Sequence, residues 1–137
     1  MIFTADLNLL VDSDYLVGAF RVGDPHQEES TKGLERAGRK NCRLSVLNLV
    51  LQETTTVLSH RVNMNAVRLF WENHGKLRLN IILVEPELEA LAWKVFLKQT
   101  KKGTSFVDCA NLAAIEKFHL DGILSFDKFY PKKLLIG

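Results

Sequence analysis

Four carboxylates, Asp12, Glu53, Asp108 and Asp127, each stand where a strand-like segment hands over to a helix or turn. In a parallel α/β sheet such junctions collect along one edge, the C-terminal ends of the strands, so acids far apart in the chain meet in one pocket. Two carboxylates about 4 Å apart repel by about 4 kcal/mol at an effective dielectric near 20, so a cluster of them demands a cation or raised pKa values. Mg²⁺ or Mn²⁺ meets that demand. Such ions take carboxylate and water oxygens, leave positions open for a substrate phosphate, and make a nucleophile of bound water. The expected chemistry is metal-dependent hydrolysis of a phosphate ester, with a nuclease as the first reading.

Each acid also has a plainer use. Asp12 follows the apolar run Leu9-Leu10-Val11, where an unpartnered carboxylate is costly to desolvate; alternatively it forms an Asx turn leading into the next helix. Glu53 has Leu49, Val50 and Val57 three and four positions away, which sets a carboxylate into an apolar helix face, or places it on a rim with its stem along the core. Asp108, third after Ser105, fits a capping box and the positive end of a helix. Asp127 fits the cap of a Lys128-Phe129-Tyr130 turn. Four unrelated caps have no reason to supply an acid at the same edge of successive βα units, and that coincidence favours a common site.

The elements that must position these acids follow from the hydrophobic pattern. Asn8–Asp12 reads as a buried first strand, followed by a short helix over Tyr15–Phe20. Asp24 and Pro25 then predict the N-cap and first residue of a helix running to about Gly38. Arg43–Leu47 is a second strand, with Asn48 as cap of the Glu53 helix to about Arg61. A further helix is expected from about Asn65 to His74. Leu79–Val84 is the third strand, Pro86 starts a helix through Lys98, and Lys101-Lys102-Gly103 makes a turn. Ser105 opens the Asp108 helix, Gly122–Phe126 is a fourth strand delivering Asp127, and Leu134–Ile136 is a candidate fifth. Strands alternating with helices imply a parallel sheet covered on both faces.

Bulk properties agree with that frame. A chain of 137 residues is expected to be one domain, 1–137, with a substantial core. Its 47% hydrophobic and 25% charged residues are ordinary globular composition and exclude disorder. Cys42 and Cys109 have no metal-ligand or disulfide-framework spacing, and His26, His60, His74 and His119 share none either, so each histidine reads as surface or helix-end structure. No apolar run reaches a membrane span of roughly 18 residues, and the start at Met1–Asp6 lacks the pattern of a leader; a cytoplasmic location without membrane attachment is expected. Net charge is +2, but setting the four acids aside leaves 18 basic against 12 acidic residues. An acidic hole in a basic surface suits a polyanion, although a basic surplus of this size is also common elsewhere.

The segments Leu10–Leu16, Leu51–Thr54, Ser105–Ala110 and Leu124–Phe129 resemble, in order and spacing, the four motifs of PIN-domain ribonucleases, especially VapC-type toxins. The resemblance covers nearly the whole chain and implies a PIN-like three-layer α/β/α fold with a central parallel sheet of four to five strands. It places the family's metal-binding and catalytic acids on Asp12, Glu53, Asp108 and Asp127. Asp14 departs from the family's usual Asn, Ser or Thr; it adds a water-mediated metal contact or caps the helix. Cys109 stands where Ala is usual and reads as a small hydrophobe rather than a nucleophile, while Ser125 supports the site through its hydroxyl. The implied activity is Mg²⁺- or Mn²⁺-dependent endoribonuclease hydrolysis of RNA, as the toxin of a toxin–antitoxin pair. The implied partners are RNA, a small antitoxin and a second copy in a homodimer. Arg21, Lys101, Lys102 and Lys128 are candidate contacts to RNA phosphates, each also readable as a solvated surface cation.

Two other readings use the same residues. Asp12-Ser13-Asp14 resembles the nucleophile motif of haloacid-dehalogenase-type phosphatases, but Leu16 departs from that motif and Glu53 would have no role. A non-catalytic PIN-like module binding RNA or protein is the other, against which an intact set of acids counts.

Overall fold

β1 (Asn8–Val11), β2 (Arg43–Leu47), β3 (Asn80–Ile82) and β4 (Gly122–Leu124) pair side by side, all parallel, in the order β3-β2-β1-β4. The central strands carry the continuous apolar runs, and Leu9, Leu10, Val11, Val46 and Leu47 are fully buried, because a parallel strand covered on both faces has no solvent side. β3 lies at the edge, with Ile81 and its neighbour Leu83 exposed. The computed structural model describes residues 3–137; Met1 and Ile2, part of the start read above for a leader, lie outside the described residues.

Among the described residues, six α-helices complete the layers: α1 (Ser13–Phe20), α2 (Gln27–Arg39), α3 (Asn48–Arg61), α4 (Met64–Asn73), α5 (Pro86–Leu97) and α6 (Phe106–Lys117). The chain steps from β1 through β2 to β3 in one direction, carrying α1 to α4, and returns across the sheet to β4, carrying α5 and α6. Right-handed crossovers place these two sets on opposite faces. The packing agrees: α1 lies against α2 and α3, α3 against α4, and α5 against α6. This is the expected α/β/α sandwich, with four strands. Leu134–Ile136 does not add a fifth; a 3₁₀ turn at Lys132–Leu134 leads into one isolated bridge between Leu135 and Ile123.

Several local expectations are corrected. Asp24 does not start α2. Its Oδ1 accepts from the His26 amide at 2.9 Å and its carbonyl from the Gln27 amide at 3.0 Å, which closes a turn before the helix begins at Gln27. Asn48 does not cap α3 but is its first residue, and its Oδ1 accepts from the Val84 amide at 2.9 Å, tying the helix to the segment after β3. α4 starts earlier than expected because Asn63 caps it through the Ala66 amide at 2.9 Å, and it gives way to a 3₁₀ turn at His74–Leu77. β3 and β4 are shorter than read, and the early end of β4 leaves Ser125 and Phe126 free to bond sideways.

Two glycines set how closely α2 approaches α1. A Cβ on Gly33 would collide with the Tyr15 ring, and one on Gly18 with the Ser30 hydroxyl. A helical glycine costs about 1 kcal/mol relative to alanine, and here it lets α2 seat against the helix that carries Asp14 and Tyr15.

Candidate active site

β1 and β4 are neighbours reached by connections on opposite faces of the sheet, so the crevice at their C-terminal ends is the topological switch point, where open α/β sheets take ligands. Asp12 sits there, 3% exposed. Its backbone amide continues the ladder to the Leu124 carbonyl at 3.0 Å, which brings Ser125 opposite it. Asp12 is also the N-cap of α1, its Oδ1 accepting from the Ser13 amide at 2.8 Å. The capping and site readings of this residue therefore coexist.

Ser125 does more than lend support. Its Oγ lies 2.8 Å from Asp12 Oδ2 and 3.2 Å from Asp14 Oδ2, and accepts from the Asp127 amide at 3.0 Å. A hydroxyl has one proton to give, so it satisfies one of two carboxylates, and the other is best served by being protonated. Asp14 neither simply caps α1 nor stands aside: its Oδ2 also accepts from the Phe126 amide at 3.0 Å, while its buried Oδ1 has no partner among the described residues.

From the other side of the crevice, Asn111 donates from Nδ2 to Asp12 Oδ1 at 3.3 Å and to the Tyr130 hydroxyl at 3.0 Å, and that hydroxyl donates to Asp108 Oδ1 at 3.0 Å. Asp108 therefore does not close the capping box. Ser105 caps α6 alone, through the Val107 amide at 3.1 Å, leaving the Asp108 carboxyl to the site. Asp127 caps its turn through the Phe129 amide at 2.9 Å, and its charge reaches Asp108. Glu53 is half-buried on α3, which packs on α1, and its charge reaches Asp12.

The electrostatics follow. Burial pushes the Asp12 carboxyl up, and the Glu53 charge adds to this against the hydrogen bonds from Ser125 and the Ser13 amide. Asp14 is pushed up to about 7, first by burial and then by the Asp12 charge. Asp108 is likewise pushed up to about 7 by burial, then by Asp12 and Asp127. Asp12, Asp14, Asp108 and Asp127 thus crowd one crevice, and the first three of them resist ionising.

Among the described residues, no three His, Cys, Asp or Glu side chains are already gathered as a metal shell; Asp12 and Asp14 are instead turned onto Ser125, Asn111 and backbone amides. In kind, the donors fit a hard divalent cation. They are all oxygens, they include an unpartnered buried Asp14 oxygen, and their charge is unsatisfied in the folded chain.

Of the candidate phosphate contacts, Lys101, Lys102 and Lys128 are exposed, Lys101 and Lys102 on the turn before α6 and Lys128 next to Asp127. Arg21 pairs with Asp24 at 3.4 Å. Cys109 is buried, its thiol pushed up by burial and by Asp108, as suits packing rather than attack. Asn111 and Tyr130 were not foreseen as site residues. Asn111 had a signal, since an amide three positions after Asp108 lies on the same face of a helix rich in alanine; Tyr130 had none beyond its nearness to Asp127.

Sheet order and helix layers are those of a PIN-like α/β/α fold. Among solved structures, Mycobacterium tuberculosis VapC20, a sarcin–ricin-loop-cleaving toxin, matches 88% of this chain and 91% of its own, with a TM-score of 0.76 and 22% sequence identity. VapBC2 from Rickettsia felis, solved bound to a DNA fragment from their promoter, matches 100% of this chain and 98% of its own, with a TM-score of 0.69 and 15% identity. No family model matches the sequence, and no curated protein does. At these identities the likeness is one of fold, and it is the fold that the four motifs led us to expect.

Proposed function

We propose that this chain is a divalent-metal-dependent endoribonuclease acting in the cytoplasm as the toxin of a toxin–antitoxin pair. Asp12, Glu53, Asp108 and Asp127 are its metal-binding and catalytic carboxylates, with Asp14 and Ser125 in support. The carrying observation is the crowding of Asp12, Asp14, Asp108 and Asp127 at the β1/β4 switch point, where burial and mutual charge push Asp14 and Asp108 up to about 7. Folding alone gains nothing from such a cluster.

Mg²⁺ or Mn²⁺ held by these acids would supply positive charge for the phosphate and lower the pKa of a bound water. The chain's own residues do the rest. Ser125 fixes Asp12 and Asp14 against each other, Asn111 and Tyr130 hold Asp12 and Asp108 across the crevice, and the exposed Lys101, Lys102 and Lys128 offer charge to flanking phosphates. The two structural neighbours, one a sarcin–ricin-loop-cleaving toxin and the other VapBC2 bound to a promoter DNA fragment, support RNA as substrate and a small antitoxin as partner. A homodimer belongs to the same reading, and light scattering on the purified chain tests it.

Incubation of a mixed RNA pool with the protein and Mg²⁺, against the same reaction with EDTA, tests the activity. Cutting that needs the metal and disappears in both Asp12→Asn and Asp108→Asn supports it. Cutting that survives EDTA, or an active Asp108→Asn protein, refutes the proposed site.

A further inference from the structure

Immediately beside the acids lies a feature that the hydrolytic chemistry does not use. The rings of Tyr15 and Phe126 stack with centroids 4.9 Å apart and planes 19° apart, and His26 stacks on Phe126 at 4.0 Å and 11°. The pile runs outward from buried Tyr15 through half-buried Phe126 to exposed His26. Phe126 sits in sequence between Ser125 and Asp127, and its amide is held by Asp14 at 3.0 Å. The pile is therefore fixed in register with the carboxylates.

His26 has no other evident task. It occupies the N-cap position of α2 but makes no side-chain capping bond, and its imidazole is not paired with any acid among the described residues. Pro25 from the same turn, together with Tyr15, Ser125 and Phe126, lines a neighbouring groove of about 720 Å³, and His26 stands outside that lining. Ser125 belongs both to that groove and to the acid cluster.

We infer that the Tyr15–Phe126–His26 stack is a platform for one unpaired nucleobase of the RNA strand whose phosphate lies at the acids. Every base presents a π face, and flat aromatic side chains, histidine included, are the usual partners of bases splayed out of single strands and loops. A base inside a duplex is already stacked on both sides and cannot use the platform, so the stack selects unpaired RNA. The inference deepens the nuclease reading and rests on it for the identity of the ligand.

The test is fluorescence anisotropy of a labelled single-stranded RNA oligonucleotide in EDTA, which separates binding from turnover. An abasic residue is walked along the strand, and wild type is compared with His26→Ala and His26→Phe, with melting curves to confirm folding. His26→Ala is expected to weaken binding about tenfold or more, and His26→Phe, which keeps a ring on Phe126, to restore it. In wild type the abasic residue should cost affinity at one register, a penalty that vanishes in His26→Ala. Equal binding by His26→Ala and wild type overturns the platform, as does a loss that phenylalanine does not rescue. If His26 governs RNA binding while no metal-dependent cutting is found, the nuclease reading fails and the platform stands; cutting with no dependence of binding on His26 gives the reverse.

Discussion

The C-terminal edge of the sheet has two halves built to opposite ends. At β1 and β4 it carries Asp12, Asp14 and Asp127, with Asp108 brought in from α6, all joined through Ser125, Asn111 and Tyr130. At β2 and β3 the same edge is closed by Asn48, which accepts from the Val84 amide at 2.9 Å, and Glu53 on the helix after β2 makes no hydrogen bond to another acid among the described residues. Topology accounts for the difference. β2 and β3 are joined by connections on one face, so their ends can be sealed by a neighbouring segment, whereas β1 and β4 send their chains to opposite faces and leave a crevice. One half is closed and stable, and the other is open and electrostatically unsatisfied.

That contrast yields graded expectations. The largest concerns Asp12, the most buried of the acids and the one bonded to both Ser125 and Asn111: Asp12→Asn should lower RNA cleavage by about a thousandfold while the fold persists, read by cleavage rate and circular dichroism. Gly33→Ala comes next. With a Cβ driven into the Tyr15 ring, overpacking should cost about 1–3 kcal/mol in urea unfolding, and cleavage should fall as well because α1 carries Asp14.

The open half should also betray itself through pH. Asp14 and Asp108 move from an unfolded value of 3.8 to about 7 in the folded chain. Between those values the folded state binds more protons, so stability without a divalent cation should fall as pH rises, with the penalty complete above about 7. Both groups are partly solvated, which screens the effect. Asp14→Asn or Asp108→Asn should therefore stabilise the cation-free protein by on the order of 1–2 kcal/mol at pH 8 and by nothing at pH 3.5, measured by denaturant unfolding. The closed half should behave in the contrary way: Asn48→Ala should destabilise by about 1 kcal/mol at every pH, by leaving the Val84 amide unpaired, and should leave the cleavage rate of the folded protein unchanged.

The placing of Asp12, Asp108 and Asp127 at the strand and helix ends was legible from sequence, because an apolar run makes a carboxylate there conspicuous, whereas Glu53 stands in the second turn of α3. Fold class was legible for the same reason: Leu9–Val11 and Val46–Leu47 read as buried parallel strands, and they are. What holds the acids was not legible. Tyr130 reaches Asp108 only because the turn after β4 folds back over α6, and Ser125 meets Asp12 only through strand register, neither of which is a local pattern. Helix starts failed where side chains found distant partners, as Asn48 did with Val84, or bonded their own turn, as Asp24 did with His26.

The central claim, that the β1/β4 acids form one divalent-cation site, is tested most directly by titrating Mn²⁺ into the purified protein by calorimetry, for wild type and for Asp12→Asn, Asp108→Asn and Asp127→Asn. Binding by wild type that is weakened in each of the three variants is the expected result. Binding unaltered by all three, or no binding by folded wild type, would contradict it.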